Sequence, residues 1–245
     1  MGLRCRCAPL TTVVVIPSRG RPDRAREAVQ AIRDTAALVS TSVILAVDAD
    51  DPTLPEYRAL HFRPFGPEVT TVVLQPDETG SLTKATNTIS LRIAEADPDC
   101  IIGNLGDDHI ARTPGWDVVV EAVLRKPGIA YGRDGVHDAH MPTAPFISAA
   151  IVLALGYYAL PDCAHMYIDD AWKAIGYRAG IITYCDELLF EHMHAAVGKA
   201  EWDDGYRRVT ATDAVERDRV AFEAWKASRL SIDAIRARNA AAVPA

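Results

Sequence analysis

No stretch of this chain reaches the roughly 18 consecutive apolar residues of a membrane span. The longest candidate, Phe146 to Leu160, contains Ser148, two tyrosines and Gly156, is bounded by Pro145 and Pro161, and reads as core. The apolar run Val13 to Ile16 stops at Pro17, Ser18 and Arg19, too soon for the centre of a secretion signal, so a cytoplasmic location is expected. Cysteine is scarce and odd in number, five in 245 residues, which fits reduced thiols better than a disulfide framework. Cys5 and Cys7 form a C-x-C pair with no second pair at zinc-site spacing, and residues 1–10 read as a flexible terminus. Positive charge is also short: Lys and Arg total 26 against 33 Asp and Glu, a net charge of -7. That balance argues against a broad phosphate-binding face and leaves nucleic acid a disfavoured, though open, partner. Neither an internal repeat nor a low-complexity linker divides the sequence.

What is present is the composition of a globular protein, 49% hydrophobic and 24% charged, long enough for one α/β domain with an appended helical tail. Thr11 to Ile16 is a β-branched run, and Asp23 to Ile32 follows with helical periodicity after an Arg-Pro-Asp start signal. Ser42 to Val47, Val69 to Leu74 and Cys100 to Leu105 read as further strands, and Leu82 to Ala96 as a helix. The order β-α-β-β-α-β with continuous apolar strands predicts a largely parallel sheet flanked by helices, which binds ligands at the carboxyl ends of its strands. Trp116 to Arg125 reads as a helix, and Asp170 to Ala174 lies in another. Gly180 to Tyr184 reads as a strand, and Leu188 to Met193 leads into His192 and His194. The polar stretch from Gly132 to His140 is expected to close over a substrate. From Asp213 to Arg238 the chain is helix-forming, with Val215, Val220, Phe222, Trp225, Leu230, Ile232 and Ile235 as expected buried positions and a core or dimer stripe among them.

The charged residues fall where that architecture puts a site. Ser18, Arg19 and Arg21 follow the first strand, Asp48 and Asp50 the second, and Asp107, Asp108 and His109 the fourth. Asp51 reads as an ordinary turn residue before Pro52. A buried strand that ends in adjacent carboxylates calls for a cation between them, and oxygen-rich ligands suit Mg2+ or Mn2+ carried with substrate phosphates. His192 and His194 share a face if they lie on a strand and not if they lie on a helix, so one of the two is expected to reach a metal.

These residues resemble a glycosyltransferase of the GT-A fold, most similar to the inverting family 2 type and, in size, to the small transferases of bacteria and their phages. The opening VVVIPSRGRP resembles the family's first strand beside the nucleotide, here Pro17, Ser18, Arg19 and Arg21, and Asp48 matches the aspartate that contacts the base. GSLTKATN, residues 80–87, resembles the family's G-x-x-x-A-R-N helix start, with Asn87 retained, Thr86 in place of arginine and Lys84 supplying charge. Gly106-Asp107-Asp108-His109 sits at the D-x-D position with glycine displacing the first acid. Either Asp107 faces ribose and Asp108 the metal, or Asp107 and His109 act as a D-x-H pair. Asp169-Asp170 resembles the family's E-D pair, and His192 or His194 falls where many GT-A enzymes place a further metal ligand. The likeness runs from Thr11 to His194.

The resemblance implies a nucleotide-sugar donor, UDP-sugar first, bound with Mn2+ or Mg2+ in a half spanning residues 11–110, and an acceptor half over 111–212. Residues 213–245 form the helical tail, a possible homodimer surface. Arg19, Arg21 and Lys84 would share the diphosphate charge, and the acceptor hydroxyl would lose its proton to Asp170 or, as the close rival, Asp169. Asp134 and His137 are acceptor-side candidates. Two other readings remain: a nucleotidyltransferase that makes nucleotide-sugars, disfavoured because PSRGRP lacks the glycine-rich loop, and a catalytically silent nucleotide or carbohydrate binder.

Overall fold

A computed structural model describes residues 10–78 and 80–242. The expectations for residues 1–9, Cys5 and Cys7 included, and for the last three residues lie outside the described residues. The first strand, β1 (Thr12–Ser18), is a β-branched run buried along almost its whole length. It pairs in parallel with β2 (Thr41–Asp48) on one side and β4 (Ile101–Asn104) on the other, while β3 (Glu68–Leu74) pairs in parallel with β2. Val14, Val15 and Ile16 have no exposed surface, and each contributes about 1.5–3 kcal/mol on burial. Helix α1 (Pro22–Thr35) begins with proline at its first position and turns Ala25, Ala28, Val29 and Ile32 to the sheet. Helix α3 (Leu82–Ala96) starts from Ser81, whose side chain accepts from the Lys84 amide.

Two details depart from the sequence reading here. A five-residue helix, α2 (Leu54–Arg58), separates β2 from β3; it is too short for periodicity to reveal. The sheet is also less parallel than expected. Its order is β3-β2-β1-β4-β7-β6-β8-β5, and only the first four strands form a continuous parallel block. β7 (Phe146–Ser148) runs antiparallel to both β4 and β6 (Ile129–Arg133), β6 pairs in parallel with β8 (Ile182–His192), and β5 (His109–Ala111) runs antiparallel to β8. The stretch expected only as core splits at Ser148 into β7 and α5 (Ala149–Leu155). The two apolar pieces around residues 180–193 merge into β8, which carries an irregularity opposite Gly132 and Arg133. α4 (Trp116–Leu124) and α6 (Ile168–Ala179) complete the layers.

Beyond β8 the chain forms α7 (Asp204–Val209), α8 (Thr212–Ser228) and α9 (Leu230–Ala242), so the long helix expected over 213–238 breaks at Arg229. Asp233, Ala234, Ala237 and Ala241 are buried, whereas Val220, Ile232 and Ile235, expected inside, are exposed, and Val215 is only partly covered. Asp233 tolerates burial because Tyr157 and the Trp225 indole both donate to it, at 2.7 and 2.8 Å. Phe222 and Trp225 join the core cluster that includes α5 and α6. Among the described residues no helix is long and apolar enough to cross a membrane.

Candidate functional site

The strand order places a topological switch between β1 and β4, because the chain leaves β1 toward β2 on one side and later returns to β4 on the other. Ser18 at the end of β1 and Asp107 just past β4 meet there, the Ser18 hydroxyl donating to Asp107 Oδ2 at 2.6 Å. Tyr57 stands 2.6 Å from the same hydroxyl, and its own oxygen accepts from the Arg21 amide. Arg21 Nη1 approaches Asp107 Oδ1 at 3.2 Å. Burial outweighs the neighbouring guanidinium and pushes Asp107 up to about 6.

Asp108 points the other way, toward the end of β8. One Asp108 oxygen, one His192 ring nitrogen and one His194 ring nitrogen lie within 4.8 Å of one another. Of the strand and helix alternatives the strand is realised: His192 closes β8, His194 continues with extended backbone, and both imidazoles reach the same side. Two main-chain bonds fix the arrangement, Met193 N to Asp108 O at 2.8 Å and His192 N to Asp134 O at 2.9 Å. His194 Nδ1 accepts from the Ala196 amide. Despite burial, Asp108 stays well below the ordinary carboxylate range with the imidazoles of His109 and His192 beside it. Burial works against a charged His192, but Asp108 and Asp134 outweigh it and raise its pKa to about 9.

His109 is outside the cluster. Its ring stacks on His192 at 4.2 Å, and its Nδ1 accepts the Gly106 N–H at 3.1 Å, so the 3.3 Å approach to Asp108 Oδ1 is not a donated hydrogen bond. Gly106 leaves no room for a side chain in this arrangement. A Cβ at this position would lie 2.5 Å from Asp108 Oδ1 and 3.0 Å from His109 Nδ1.

The other predicted residues divide. Arg19 reaches Asp48 at 2.7 Å and Asp50 at 2.5 Å, tying the ends of β1 and β2 together, and Pro17 lies within β1. Asp51 holds a turn, accepting from Gly20 N and from the Thr53 amide and hydroxyl. Lys84 is exposed on the first turn of α3. Asn87 is occupied elsewhere: its oxygen accepts from the Tyr158 and Ala159 amides and its nitrogen donates to Ala159 O. Asp134 is 1% exposed and accepts from the amides of Val136, His137 and Asp138 and from the Thr143 hydroxyl. It therefore shapes the 132–140 segment and stands behind His192, while His137 is exposed.

Asp169 and Asp170 occupy the first turn of α6, whose cap, Tyr167, has a φ of 67°. Burial pushes Asp169 up to about 7, Asp170 adds to the rise, and the charges of His192 and Asp134 also act on it. Asp170 is raised by burial too, but its charged neighbours are Lys173, Lys226 and His137. Of the two acids, Asp169 is thus the one within the field of His192. The loop before α6 is held by Asp218 of α8, which accepts from the amides of Ala164, His165 and Met166. That loop brings in His165, missed by sequence reasoning; burial lowers it to about 4 in the field of Asp218, Asp108 and Arg21. Asp203 and Tyr206 were missed as well. Asp203 binds Arg21 and the Tyr206 hydroxyl donates to Asp108. Their only local signal is an Asp-Asp-Gly helix start in a stretch without resemblance.

No model of a protein family and no curated protein matches the chain. Solved structures do. The chain is similar to the mannosyltransferase PcManGT from Pyrobaculum calidifontis, solved with GDP-Man and Mn2+, with a TM-score of 0.54, 14% identity and coverage of 95% of this chain and 76% of that one. It is similar to residues 1–349 of S. aureus TarS, solved with UDP-GlcNAc, with a TM-score of 0.54, 13% identity and coverage of 94% and 70%. A third likeness is to a structure described as a nucleotide-diphospho-sugar transferase from Desulfovibrio desulfuricans, with a TM-score of 0.51, 10% identity and coverage of 88% and 98%. At these identities the likeness is one of fold: the sheet and its helices have the GT-A architecture of nucleotide-sugar glycosyltransferases.

Proposed function

We propose that this chain is a metal-dependent glycosyltransferase that moves a sugar from a nucleotide-sugar to an acceptor hydroxyl with inversion. The observation that carries the reading is the Asp108–His192–His194 cluster beside Ser18, Asp107 and Arg21, at the switch point of a GT-A sheet. One carboxylate and two imidazoles suit Mn2+ better than Mg2+, which prefers oxygen ligands. Asp108, His192 and His194 would hold the cation, which when bound supplies Lewis-acid neutralisation of the departing diphosphate. Donor complexes of similar folds, with GDP-Man and UDP-GlcNAc, support a nucleotide-sugar as substrate.

The chain's own residues supply the rest. Asp107 and Ser18 face the ribose side, Asp48 and Arg19 border the base, and Arg21 offers a planar fork for phosphate oxygens. The base that takes the proton from the acceptor oxygen is Asp169, in preference to Asp170, because its charge neighbours are His192 and Asp134. Held near 7, Asp169 is ionised often enough to accept that proton and basic enough to pull it. The test is release of nucleoside diphosphate from GDP- and UDP-sugars with Mn2+, in wild type and Asp108→Ala. Metal-stimulated release lost in the variant supports the reading, and tight nucleotide binding without any release returns the chain to a silent binder.

A further inference from the structure

Helix α7 lies beyond the last strand of the sheet, yet its side chains end in the middle of the site. The Tyr206 hydroxyl donates to Asp108 Oδ2 at 2.7 Å, on a carboxylate of the candidate metal cluster, and accepts from Arg24 Nη1 at 2.8 Å. Asp203, which caps α7, takes the fork of Arg21 with both oxygens, 2.7 Å from Nε and 2.6 Å from Nη2. Arg21 Nη1 meanwhile faces Asp107. The Tyr206 ring covers the guanidinium at 4.1 Å. This closeness needs the glycine at 205, where a Cβ would lie 2.8 Å from Arg21 Nη2.

Each contact imitates half of a cation–diphosphate pair. A carboxylate on an arginine fork has the geometry of a phosphate on the same fork, and a hydroxyl proton on Asp108 stands in for part of a cation's charge. Asp107 and Asp203 both engage Arg21, and Asp203 also faces Arg24, so a diphosphate arriving alone finds the guanidinium fork already occupied by carboxylates. A cation with its diphosphate replaces both internal partners at once.

We propose that the Asp203–Tyr206 turn is a clasp that fills the cation and diphosphate positions while donor is absent and is displaced when the two arrive together. This rests on the reading of the site as a metal–diphosphate centre. The clasp makes the cation and the nucleoside diphosphate each weak alone and mutually reinforcing. The test is calorimetric titration of MnCl2, with and without GDP or UDP, into wild type, Tyr206→Phe and Asp203→Asn, with hydrogen exchange of residues 204–209. Tyr206→Phe is expected to bind Mn2+ alone about three- to tenfold more tightly, and Asp203→Asn to gain similarly for the diphosphate with Mn2+, the equivalent of one released hydrogen bond each. Amides of 204–209 in wild type are expected to exchange faster once both ligands saturate. If wild type binds and both variants bind equally or more weakly, or if 204–209 becomes protected on saturation, the clasp is overturned while the metal site stands. If no form binds either ligand, the metal-site reading falls and the clasp with it.

Discussion

Replacing Asp169 with asparagine should make the protein more stable and less active, and the size of the gain follows from where the carboxyl sits. Burial, with Asp170 beside it, pushes Asp169 from its ordinary value of 3.8 to about 7. At about 1.4 kcal/mol per tenfold, that difference sets a ceiling of about 4 kcal/mol on the cost of ionising it in the folded chain. Asp169 keeps some solvent contact, which screens the charge, so a gain of about 1–2 kcal/mol is expected. The sign follows from linkage. Below about pH 3 folded and unfolded chains both carry the proton; as pH climbs from there toward 7 the unfolded chain ionises first, and wild-type stability falls. Asparagine cannot ionise, so its advantage is absent at low pH and complete above about pH 7. Thermal unfolding at pH 4.5 and pH 8 reads this as a rise in Tm at pH 8 of about 3–6 °C for a chain of this size. Sugar transfer should fall by about a hundredfold or more. A variant less stable than wild type at pH 8, or a gain independent of pH, would refute the reasoning.

Other outcomes follow from the same contacts. Asp108→Ala should lower metal-stimulated donor turnover by about a hundredfold or more, measured as diphosphate release. Gly106→Ala leaves every ligand in place but pushes a methyl toward Asp108 Oδ1, and Mn2+ affinity measured by calorimetry should fall about tenfold or more. Asp218→Ala strips acceptors from the amides of Ala164, His165 and Met166 and should cost about 2–3 kcal/mol, read from urea unfolding at constant m-value. Transfer by wild type should rise with pH through about 7 as Asp169 ionises, and Asp170→Asn, which removes a neighbouring charge that raises Asp169, should keep the rise but move it to lower pH.

The parallel half of the sheet was readable because β1, β2 and β4 are buried on both faces and so appear as unbroken apolar runs that end in polar residues. The same pattern in the sequence sets Ser18, Asp107 and Asp108 at strand ends. The antiparallel half was not readable in this way, since β5 and β7 are three residues each and acquire their identity only from the strands they pair with. Neither the resemblance that singled out Asn87 nor the residue type of Asp134 reveals what their side chains bond to. Both are polar and near the site, yet their hydrogen bonds are spent on backbone amides of their surroundings. Tyr206 meets Asp108 across 98 positions and Asp203 meets Arg21 across 182, and no local pattern encodes contacts at that separation. The helical tail matched its expected buried positions at Phe222 and Trp225 but not at Val215 and Val220, and beyond Arg229 small and acidic residues are buried in place of Ile232 and Ile235.

The most direct measurement is the anomalous map of crystals soaked with MnCl2 and a nucleoside diphosphate. One strong peak bonded to Asp108, His192 and His194 is expected, with the diphosphate on its open side toward Arg21. A peak at other residues, or nucleotide bound along β1 with these three side chains unliganded, would contradict it.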